Sequence, residues 1–338
     1  MIRPGANPTL EDVARLAGVS RSTASRAING GARVAPEALS AVQEAVRRLG
    51  YVPNLAARSL VTNRSNSVAL LVPEPDEILL TDPFFAHVLR GITVVLDDAD
   101  LQLLLVMARP GRGVARAERF LTAQHADGVI VVSHHRLDRI ETAAVAGRVP
   151  VVLIGRPWIS DSVVSWVDAA NRDGARLATE HLLERGCRRI AVLAGPQDMV
   201  AGFDRRAGVH DALEAAGVTP GPEVETPFTR AGGATAMARA LTEDPTIDGV
   251  VAASDLVAAG ALATLTRNGR RVPEDVRIVG YDDLGVAAET VPPLTTVVNP
   301  AEDLGRAAAR LLVDRVTGAA QGAAYVMPPP ALVVRGTT

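Results

Sequence analysis

Apolar and polar positions change their spacing along the chain, and this divides it into three regions. In residues 1–50, apolar residues recur every three to four positions, which predicts three short helices. Residues 51–65 are typical of a linker that contains one short helical segment. The predicted helices and caps are Leu10–Ala17 behind Thr9, a helix capped by Ser20 that ends near Ile28, and a helix from Pro36 to Leu49 closed by Gly50.

From Ser67 onward, short apolar runs alternate with amphipathic segments. Continuous apolar strands joined by helices are typical of parallel sheets covered on both faces. About 270 residues are long for one open sheet, so we expect two βα lobes with a ligand cleft at the carboxyl ends of their strands. The predicted strands are Val68–Val72, Leu101–Met107, Gly128–Val132, Val151–Ile154, Ile190–Ala194, Gly249–Ala253 and Val276–Gly280, and the clearest helices are Phe84–Asp98, Arg172–Arg185, Arg205–Ala216 and Leu256–Asn268.

Charge is unevenly distributed over the chain. Residues 1–64 hold nine arginines and four acidic residues, a formal charge of +5, whereas the whole chain carries −3. The remainder is therefore acidic, and the basic amino-terminal region is the part expected to meet a polyanion. The sequence contains no lysine, so every such contact would use arginine, whose planar fork suits phosphates and guanines.

Composition narrows the class of protein. A chain of 338 residues with 3% aromatic side chains fits stacked α/β layers, and its longest apolar runs are far shorter than the roughly 20 residues of a membrane span. The amino terminus has no apolar signal core, and Cys187 is the single cysteine. These features indicate a cytoplasmic protein that has no internal disulfide.

The first two helices have the form of a helix-turn-helix. Gly18 permits the tight turn, and the small Ala24 and Ala27 allow the helices to pack closely. Polar residues then remain on the outer side of the second helix, at the end that enters a major groove. Among them, Arg21 and Arg26 can bind guanine O6 and N7 with two hydrogen bonds.

The segment TLEDVARLAGVSRSTASRAING, followed by LGYVPNLAARSL, resembles the head of the lactose-repressor (LacI/GalR) family. Later segments resemble it as well: DPFF, ATEHLLERGCRRIAVLAGP, RVPEDVRIVGYDD, PPLTTV and LVVRGTT. The resemblance thus covers the whole chain. It implies an all-α helix-turn-helix head and an α/β body of two parallel-sheet lobes, similar to periplasmic binding proteins.

The resemblance also implies which residues touch DNA. Arg21 and Ser22 match the two positions that chiefly distinguish operators, and Arg26 matches a base-contacting arginine. A departure is Ala24, where the family prefers valine, although this position lies off the reading face. The backbone-contacting or helix-framing positions correspond to Ser20, Thr23, Ser25 and Asn29.

The segment Asn54–Leu60 corresponds to the family's hinge helix, which is too short to be stable alone. By the resemblance, Leu60 is an apolar wedge that enters the minor groove and bends DNA, and Asn54, Ala57 and Arg58 flank it. The alternative is that Leu60 belongs to the core of a domain boundary. A ligand that moves the two bodies of a dimer apart would prevent pairing of the hinges and so weaken DNA binding.

Effector positions follow from the resemblance one by one. Arg205 matches an arginine that clamps a ligand hydroxyl or carboxylate, and Asp282 an acid that accepts hydroxyl hydrogen bonds. Phe228 matches an aromatic that stacks on a ligand ring, and Phe84 a wall near the cleft mouth. The alternatives are an ordinary ion pair for the first two and a core role for Phe228.

Two departures leave the effector open. Ser254 stands where the family usually has asparagine, so a hydroxyl replaces an amide contact. Gly155 stands where many sugar-binding members have aspartate, which removes one carboxylate. A sugar or sugar derivative is therefore expected as the effector, with a nucleoside or other non-sugar metabolite acting as corepressor as the alternative.

An enzyme is not expected, because the sequence has neither a nucleophile elbow nor a phosphate-binding glycine loop. His134 and His135 are adjacent and would point apart on a strand, so a metal site is not expected, and neither is a cofactor. An exported solute-binding protein would share the body fold, but the head and the missing signal peptide argue against it.

The sequence therefore predicts a dimeric DNA-binding repressor of carbohydrate-metabolism genes that binds a pseudo-palindromic operator and responds to a small molecule. No tetramerisation helix is expected after Arg335. The predicted domains are a head at 1–52, a hinge at 53–65 and a body at 66–338, in which 66–168 and 299–326 form one lobe and 169–298 and 327–338 the other.

Overall fold

The computed structural model describes residues 8–28, 34–52, 64–109, 112–122, 125–136, 140–147, 149–159, 164–319 and 324–338. The chain divides into two compact units, Met1–Ser65 and Asn66–Thr338. We call the first the head and the second the body.

The described part of the head contains helices α1 (Leu10–Ala17), α2 (Arg21–Ile28) and α3 (Pro36–Leu49). The Thr9 side chain accepts a hydrogen bond from the amide of Asp12, whose carboxylate accepts one from the amide of Thr9, so a reciprocal capping box starts α1. All three helices have the bounds that the apolar spacing predicts. They enclose a small core formed by Val13, Ala14, Ala24, Ala27, Val42 and Ala45.

The body alternates strands and helices, as predicted. Its strands are β1 (Ser67–Val72), β2 (Gln102–Met107), β3 (Gly128–Val132), β4 (Val151–Ile154), β5 (Ser165–Asp168), β6 (Ile190–Ala194), β7 (Glu223–Glu225), β8 (Gly249–Ala252), β9 (Arg277–Asp282), β10 (Thr295–Val298), β11 (Ala324–Val326) and β12 (Leu332–Val333). Its helices are α4 (Asp76–Thr81), α5 (Pro83–Asp98), α6 (Arg112–Thr122), α7 (Ile140–Ala146), α8 (Asn171–Glu184), α9 (Val200–Ala215), α10 (Arg230–Glu243), α11 (Asp255–Arg267), α12 (Val286–Glu289) and α13 (Ala301–Thr317).

Two six-stranded sheets organise these elements. One has the strand order β11-β5-β4-β3-β1-β2, and the other has the order β12-β10-β9-β8-β6-β7. All pairings are parallel except that of β10 with β12. We call the region around the first sheet the N-lobe and that around the second the C-lobe. The predicted fold class, a helical head on a body of two mainly parallel sheets, is confirmed.

The chain passes between the lobes three times. It leaves the N-lobe after β5 for α8, returns after β10 to α13, and passes from β11 to β12 near the carboxyl terminus. We call the residues around Asp168–Asn171, Asn299 and Met327 the crossovers. Their strands end at the face where the two lobes meet.

Close helix pairing completes the N-lobe. A Cβ atom on Gly91 of α5 would overlap the carbonyl oxygen of Glu302, and one on Gly305 of α13 would overlap that of Val88. The reciprocal glycines therefore let the two backbones touch. This contact buries one side of α13 against the apolar side of α5, which includes Val88 and Ile92.

Candidate functional site

Helix α2 presents a polar face made by the alternation of small and long residues. Ala24 and Ala27 are buried, whereas Arg21, Ser22 and Arg26 are exposed. The Nε atom of Arg26 donates to the carbonyl oxygen of Ser22 at 3.4 Å, so the guanidinium follows the helix surface. These are the side chains predicted to read bases, and the structure places them together on one accessible face.

The start of α2 is held by the predicted cap. The Ser20 hydroxyl accepts a hydrogen bond from the amide of Thr23 at 3.1 Å and lies 2.9 Å from the Ser22 hydroxyl. Thr23 and Ser25 are half-buried beside the exposed face. The other residues predicted to touch DNA lie outside the described residues: Asn29, Asn54, Ala57, Arg58 and Leu60.

The body contains a cavity of about 320 Å³ between the two lobes, at the carboxyl ends of the parallel strands. Four of the five predicted effector positions line it: Phe84, Arg205, Phe228 and Asp282. The first comes from the N-lobe and the other three from the C-lobe. The structure thus brings together side chains that lie far apart in the sequence.

Arg205 is buried, and its Nε and Nη1 atoms have protein partners. Its Nε donates to Asn171 Oδ1 at 2.9 Å, and its Nη1 donates to the carbonyl oxygen of Ala253 at 2.6 Å. Nη1 also lies 3.4 Å from Asp282 Oδ1, and the guanidinium stacks 3.7 Å above the ring centre of Tyr281. The ion pair considered as an alternative is present, and both of its members also line the cavity.

Ser254 is the predicted effector residue that the structure places elsewhere. It is buried at the start of α11, and its hydroxyl caps the helix by accepting from the amide of Val257 at 3.2 Å. It is not among the residues that line the cavity. The next residue, Asp255, holds the loop after β9 by accepting from the amide of Asp283 at 2.7 Å.

The two aromatic residues lie on opposite walls. Phe84 packs edge-on against Phe85, with ring centres 5.5 Å apart. Phe228 lies with its ring centre 5.8 Å from the guanidinium carbon of Arg205. Phe228 also packs against the C-lobe core, so the core role considered as an alternative and a place in the cavity wall coexist.

Sequence reasoning missed three carboxylates that line the cavity, namely Glu74, Asp82 and Asp168. Burial raises the pKa of Asp82 to about 7, and the nearby charge of Asp282 adds to this effect. Burial likewise raises the pKa of Asp168 to about 6. A usable signal existed, because Glu74 follows β1 and Asp168 ends β5, which are both positions at strand carboxyl ends.

The prediction that His134 and His135 lie on a strand is wrong. Strand β3 ends at Val132, and the positive φ of Ser133 (61°) turns the chain, so that both histidines line the cavity. His135 Nδ1 lies 2.9 Å from Asp198 Oδ2, and its Nε2 lies 3.3 Å from Glu74 Oε1. Among the described residues, no cluster of three or more potential ligands could hold a metal ion.

The lobes also touch along the cleft edge, which we call the rim. It comprises residues 133–136 and 155–158 of the N-lobe and residues 198–204 of the C-lobe. The amide of Arg136 donates to the carbonyl oxygen of Asp198 at 2.8 Å. Arg156 binds the carboxylate of Asp204 through two nitrogens, at 2.6 and 2.8 Å, and Trp158 packs edge-on against Phe203 at 5.6 Å.

Gly155 also lies at the rim, with a φ of 103°, a conformation that a side chain disfavours. A Cβ atom there would meet the ring of His134 at 3.3 Å. The aspartate carboxylate that the family resemblance leads one to expect at position 155 is therefore absent. The ring of His134 lies against the backbone of Gly155 instead.

Comparison with known proteins agrees with this architecture. The profile for bacterial regulatory proteins of the lacI family matches residues 9–54, and a profile for a periplasmic binding protein-like domain matches residues 179–338. The HTH-type transcriptional regulator CelR of Thermobifida fusca is 48% identical over 314 residues, 92% of each chain. This chain belongs to the lacI family. A second relative, the ribose operon repressor of Halalkalibacterium halodurans, is 35% identical and covers 98% of this lacI-family chain and 97% of its own.

Solved structures place this lacI-family protein among ligand-bound and DNA-bound relatives. A complex of the transcriptional regulator CelR with cellobiose superposes with a TM-score of 0.79 and 44% identity, covering 98% of this chain and 100% of that one. The lac repressor dimer bound to operator and an anti-inducer has a TM-score of 0.86 and 27% identity, covering 98% and 99%.

Membership of the family settles the broad class. The lacI-family chain is a DNA-binding transcription regulator and not an enzyme, as the sequence predicts. In the part of the body and head that the structure describes, no helix has both the length and the apolar character needed to cross a membrane.

Proposed function

We propose that this regulator is a repressor that binds a pseudo-palindromic operator as a dimer and releases or tightens it when a sugar enters the inter-lobe cavity. The observation that carries the proposal is that one chain combines an exposed Arg21–Ser22–Arg26 face with a largely apolar cavity that is flanked by two phenylalanines and contains several polar side chains. Aromatic walls and convergent polar groups are the usual means by which proteins bind sugars.

A β-linked glucose disaccharide such as cellobiose is the proposed effector. The relatives most informative on this point are the CelR regulator, at 48% identity, and its complex with cellobiose. The cavity of about 320 Å³ lies at the small end of the range for ligand pockets, which suits a disaccharide better than a long oligosaccharide. The carboxylates Glu74, Asp82 and Asp168 supply hydroxyl acceptors, which offset the one missing at Gly155.

The proposed organisation keeps the predicted bounds. The head spans 1–52, the hinge 53–65 and the body 66–338, with Leu60 as the wedge in the minor groove. Because two hinges must pair to fold, any effector that changes the spacing of two bodies changes DNA affinity. We propose that the protein acts in the cytoplasm, at the nucleoid.

The direct test is fluorescence anisotropy with labelled duplexes that carry a palindrome with a central CG step. We expect binding that Arg26→Ala weakens about tenfold or more and that Ser22→Ala alters in sequence preference. The matched control is Arg239→Ala, an exposed arginine on α10 of the body, which should leave binding unchanged. If both head variants keep the sequence preference of the wild type, α2 is not the helix that reads the bases.

The effector is tested on the same DNA complex. Cellobiose is expected to shift the operator affinity, whereas ribose and a purine base are the comparison arms. If only the purine base changes the operator affinity, the sugar hypothesis is wrong and the effector belongs to the nucleoside-type corepressors considered above.

A further inference from the structure

We propose that the inter-lobe cavity accepts only uncharged polyhydroxyl ligands and rejects ligands of the same shape that carry a carboxylate or a phosphate. The proposal rests on the proposed function, because it narrows the class of sugar that the cavity takes. The cavity would thus bind free sugars and reject sugar acids and sugar phosphates, although these ligands have most of their hydroxyl groups in common.

Carboxyl groups outnumber cationic groups among the described residues that line the cavity. Four carboxyl side chains line it, three from the N-lobe and one from the C-lobe: Glu74, Asp82, Asp168 and Asp282. Among the described residues that line it, Arg205 and His135 are the side chains that carry positive charge, and His134 adds a further imidazole ring. Glu74 and Asp168 are each exposed by less than a tenth, so solvent screens their charges poorly.

Two of the three nitrogens of the Arg205 guanidinium already have protein partners. Anion sites in proteins commonly use an arginine fork that faces the ligand with two parallel donors. Here Nε of Arg205 donates to Asn171, Nη1 contacts the carbonyl oxygen of Ala253 and Asp282, and one face of the guanidinium covers Tyr281. Of the three nitrogens, Nη2 is the one that these contacts leave for a ligand. An anion that bound two nitrogens of the fork would have to displace one of these partners from a residue that is 6% exposed.

The histidine is committed in the same way. Burial would lower the pKa of His135, but its hydrogen bonds to Glu74 and Asp198 and their charges raise it to about 9. The ring is therefore an imidazolium at neutral pH and lies between two carboxylates. Its charge compensates acids of the protein and leaves little for a ligand.

The amide side chains point their donors at the protein too. Asn171 Nδ2 donates to Asp168 Oδ1 at 3.0 Å, and Asn299 Nδ2 donates to Asp282 Oδ1 at 3.0 Å. The Oδ1 atom of Asn299 is buried and has no hydrogen-bond partner in the described structure. The cavity is therefore rich in acceptors, which match the hydroxyl donors of a sugar and mismatch the acceptor-only oxygens of an anion.

The behaviour of the cavity's own carboxyl groups points the same way. Burial, with the neighbouring negative charges second, raises the pKa of Asp82 to about 7 and that of Asp168 to about 6. An environment that resists ionisation of its own acids also resists the entry of another negative charge.

The experiment is calorimetry of the full-length protein with three matched probes. They are cellobiose, the disaccharide in which a C6 carboxylate replaces one hydroxymethyl group, and the methyl ester of that acid. We expect the acid to bind about a hundredfold more weakly than cellobiose, since one unit charge near several carboxylates costs this order of affinity. The ester, which is larger but neutral, should bind within about tenfold of cellobiose.

The outcomes separate the two proposals. An acid that binds within about threefold of cellobiose overturns charge exclusion and leaves the sugar effector intact. Acid and ester that are equally weak also overturn it, because size would then be the cause. If neither cellobiose nor the ester binds, the proposed sugar effector fails and this inference fails with it.

A variant tests the origin of the discrimination. Asp82 caps α5 by accepting from the amide of Phe84 at 2.9 Å, and asparagine caps helices equally well. Asp82→Asn should therefore fold. At pH 8, where a carboxyl group with a pKa of about 7 is mostly ionised, the variant should narrow the ratio of cellobiose affinity to acid affinity by about tenfold. The control is Asp97→Asn at the exposed far end of the same helix, which should leave the ratio unchanged. Equal ratios in both variants would contradict the role of the cavity charge.

Discussion

The Nδ1 atom of His135 lies 2.9 Å from Asp198 Oδ2, and the two residues belong to opposite lobes. On its other side the ring meets Glu74, which belongs to the same lobe as His135. One side chain therefore joins a lining residue of the cavity to the rim of the facing lobe. Closure of the cleft and the protonation of this ring are coupled, because Asp198 stabilises the imidazolium only when the lobes are together.

We expect the affinity for cellobiose to fall as the pH rises through about 9. The pKa of His135 is raised in the closed body, so its stabilising contribution is complete below the ordinary value of 6.5 and is lost through about 9. Isothermal titration from pH 7 to 10 measures the effect. The slope near pH 9 should disappear in His135→Gln and persist in His125→Gln, which changes an exposed histidine. A slope near pH 7 would belong to Asp82 and should be the same in both variants.

The ion pair between Arg156 and Asp204 should govern how fast an effector enters and leaves. The two hydrogen bonds from Arg156 to Asp204 connect the N-lobe to the C-lobe across the cleft edge. Because Arg156→Ala removes them, the variant should speed both association and dissociation of the effector. Stopped-flow fluorescence can follow this through Trp158, which lies at the rim. A double-mutant cycle with Asp204→Asn should give a coupling of about 1 kcal/mol, the scale of a partly exposed pair. Unchanged rates would show that the rim does not limit exchange.

Gly91→Ala should destabilise the body by about 1–3 kcal/mol, the usual cost of overpacking. The added methyl group would overlap the carbonyl oxygen of Glu302 and crowd the amide of Arg306, so α5 and α13 must separate. Urea unfolding followed by circular dichroism measures the loss. Thr93→Ala on the same helix, half-exposed, is the control and should cost much less.

Leu60→Ala should reduce DNA bending and leave cellobiose affinity nearly unchanged. The prediction follows from the wedge proposed for this position, since alanine is too short to separate a base step. Fluorescence energy transfer between the ends of an operator duplex reports the bend, and calorimetry reports the sugar. Wild-type bending in the variant would refute the wedge.

Much of the fold could be predicted because its elements follow from local sequence patterns. The helices of the head have distinct caps, and buried strands such as Gly128–Val132 and Ile190–Ala194 are unbroken apolar runs. Short edge strands such as β7 and β11 were missed, since three residues carry no periodic signal. Helix α9 begins at Val200 and not at Arg205, because its first turn is apolar on the side that faces the cavity and the rim.

The candidate site was harder to predict. The family resemblance reached Arg205 and Asp282 and offered an ion pair only as the alternative to ligand binding, whereas the structure shows the two residues in contact and both lining the cavity. His135 and Asp198 meet only because two loops from different sheets face one another, and their separation of 63 residues leaves no trace in the sequence pattern. The prediction that Ser254 contacts the effector is not supported, because its hydroxyl points into the start of α11 and caps that helix. The sequence places Ser254 after a strand that ends near the cavity, but it does not give the direction of the side chain.

The crossovers carry a mechanical consequence. Asp168, Asn171 and Asn299 line the cavity and are also the points about which one lobe must turn relative to the other. A sugar that hydrogen-bonds to these residues would bind where the chain passes between the lobes. The amide of the rim residue Arg156 donates to Asp168 Oδ2 at 3.0 Å, so this part of the rim is in direct contact with a crossover. A change in backbone torsion at Asp168 would therefore reach the rim through one hydrogen bond, and a ligand inside the cleft can act on the ion pair that closes it.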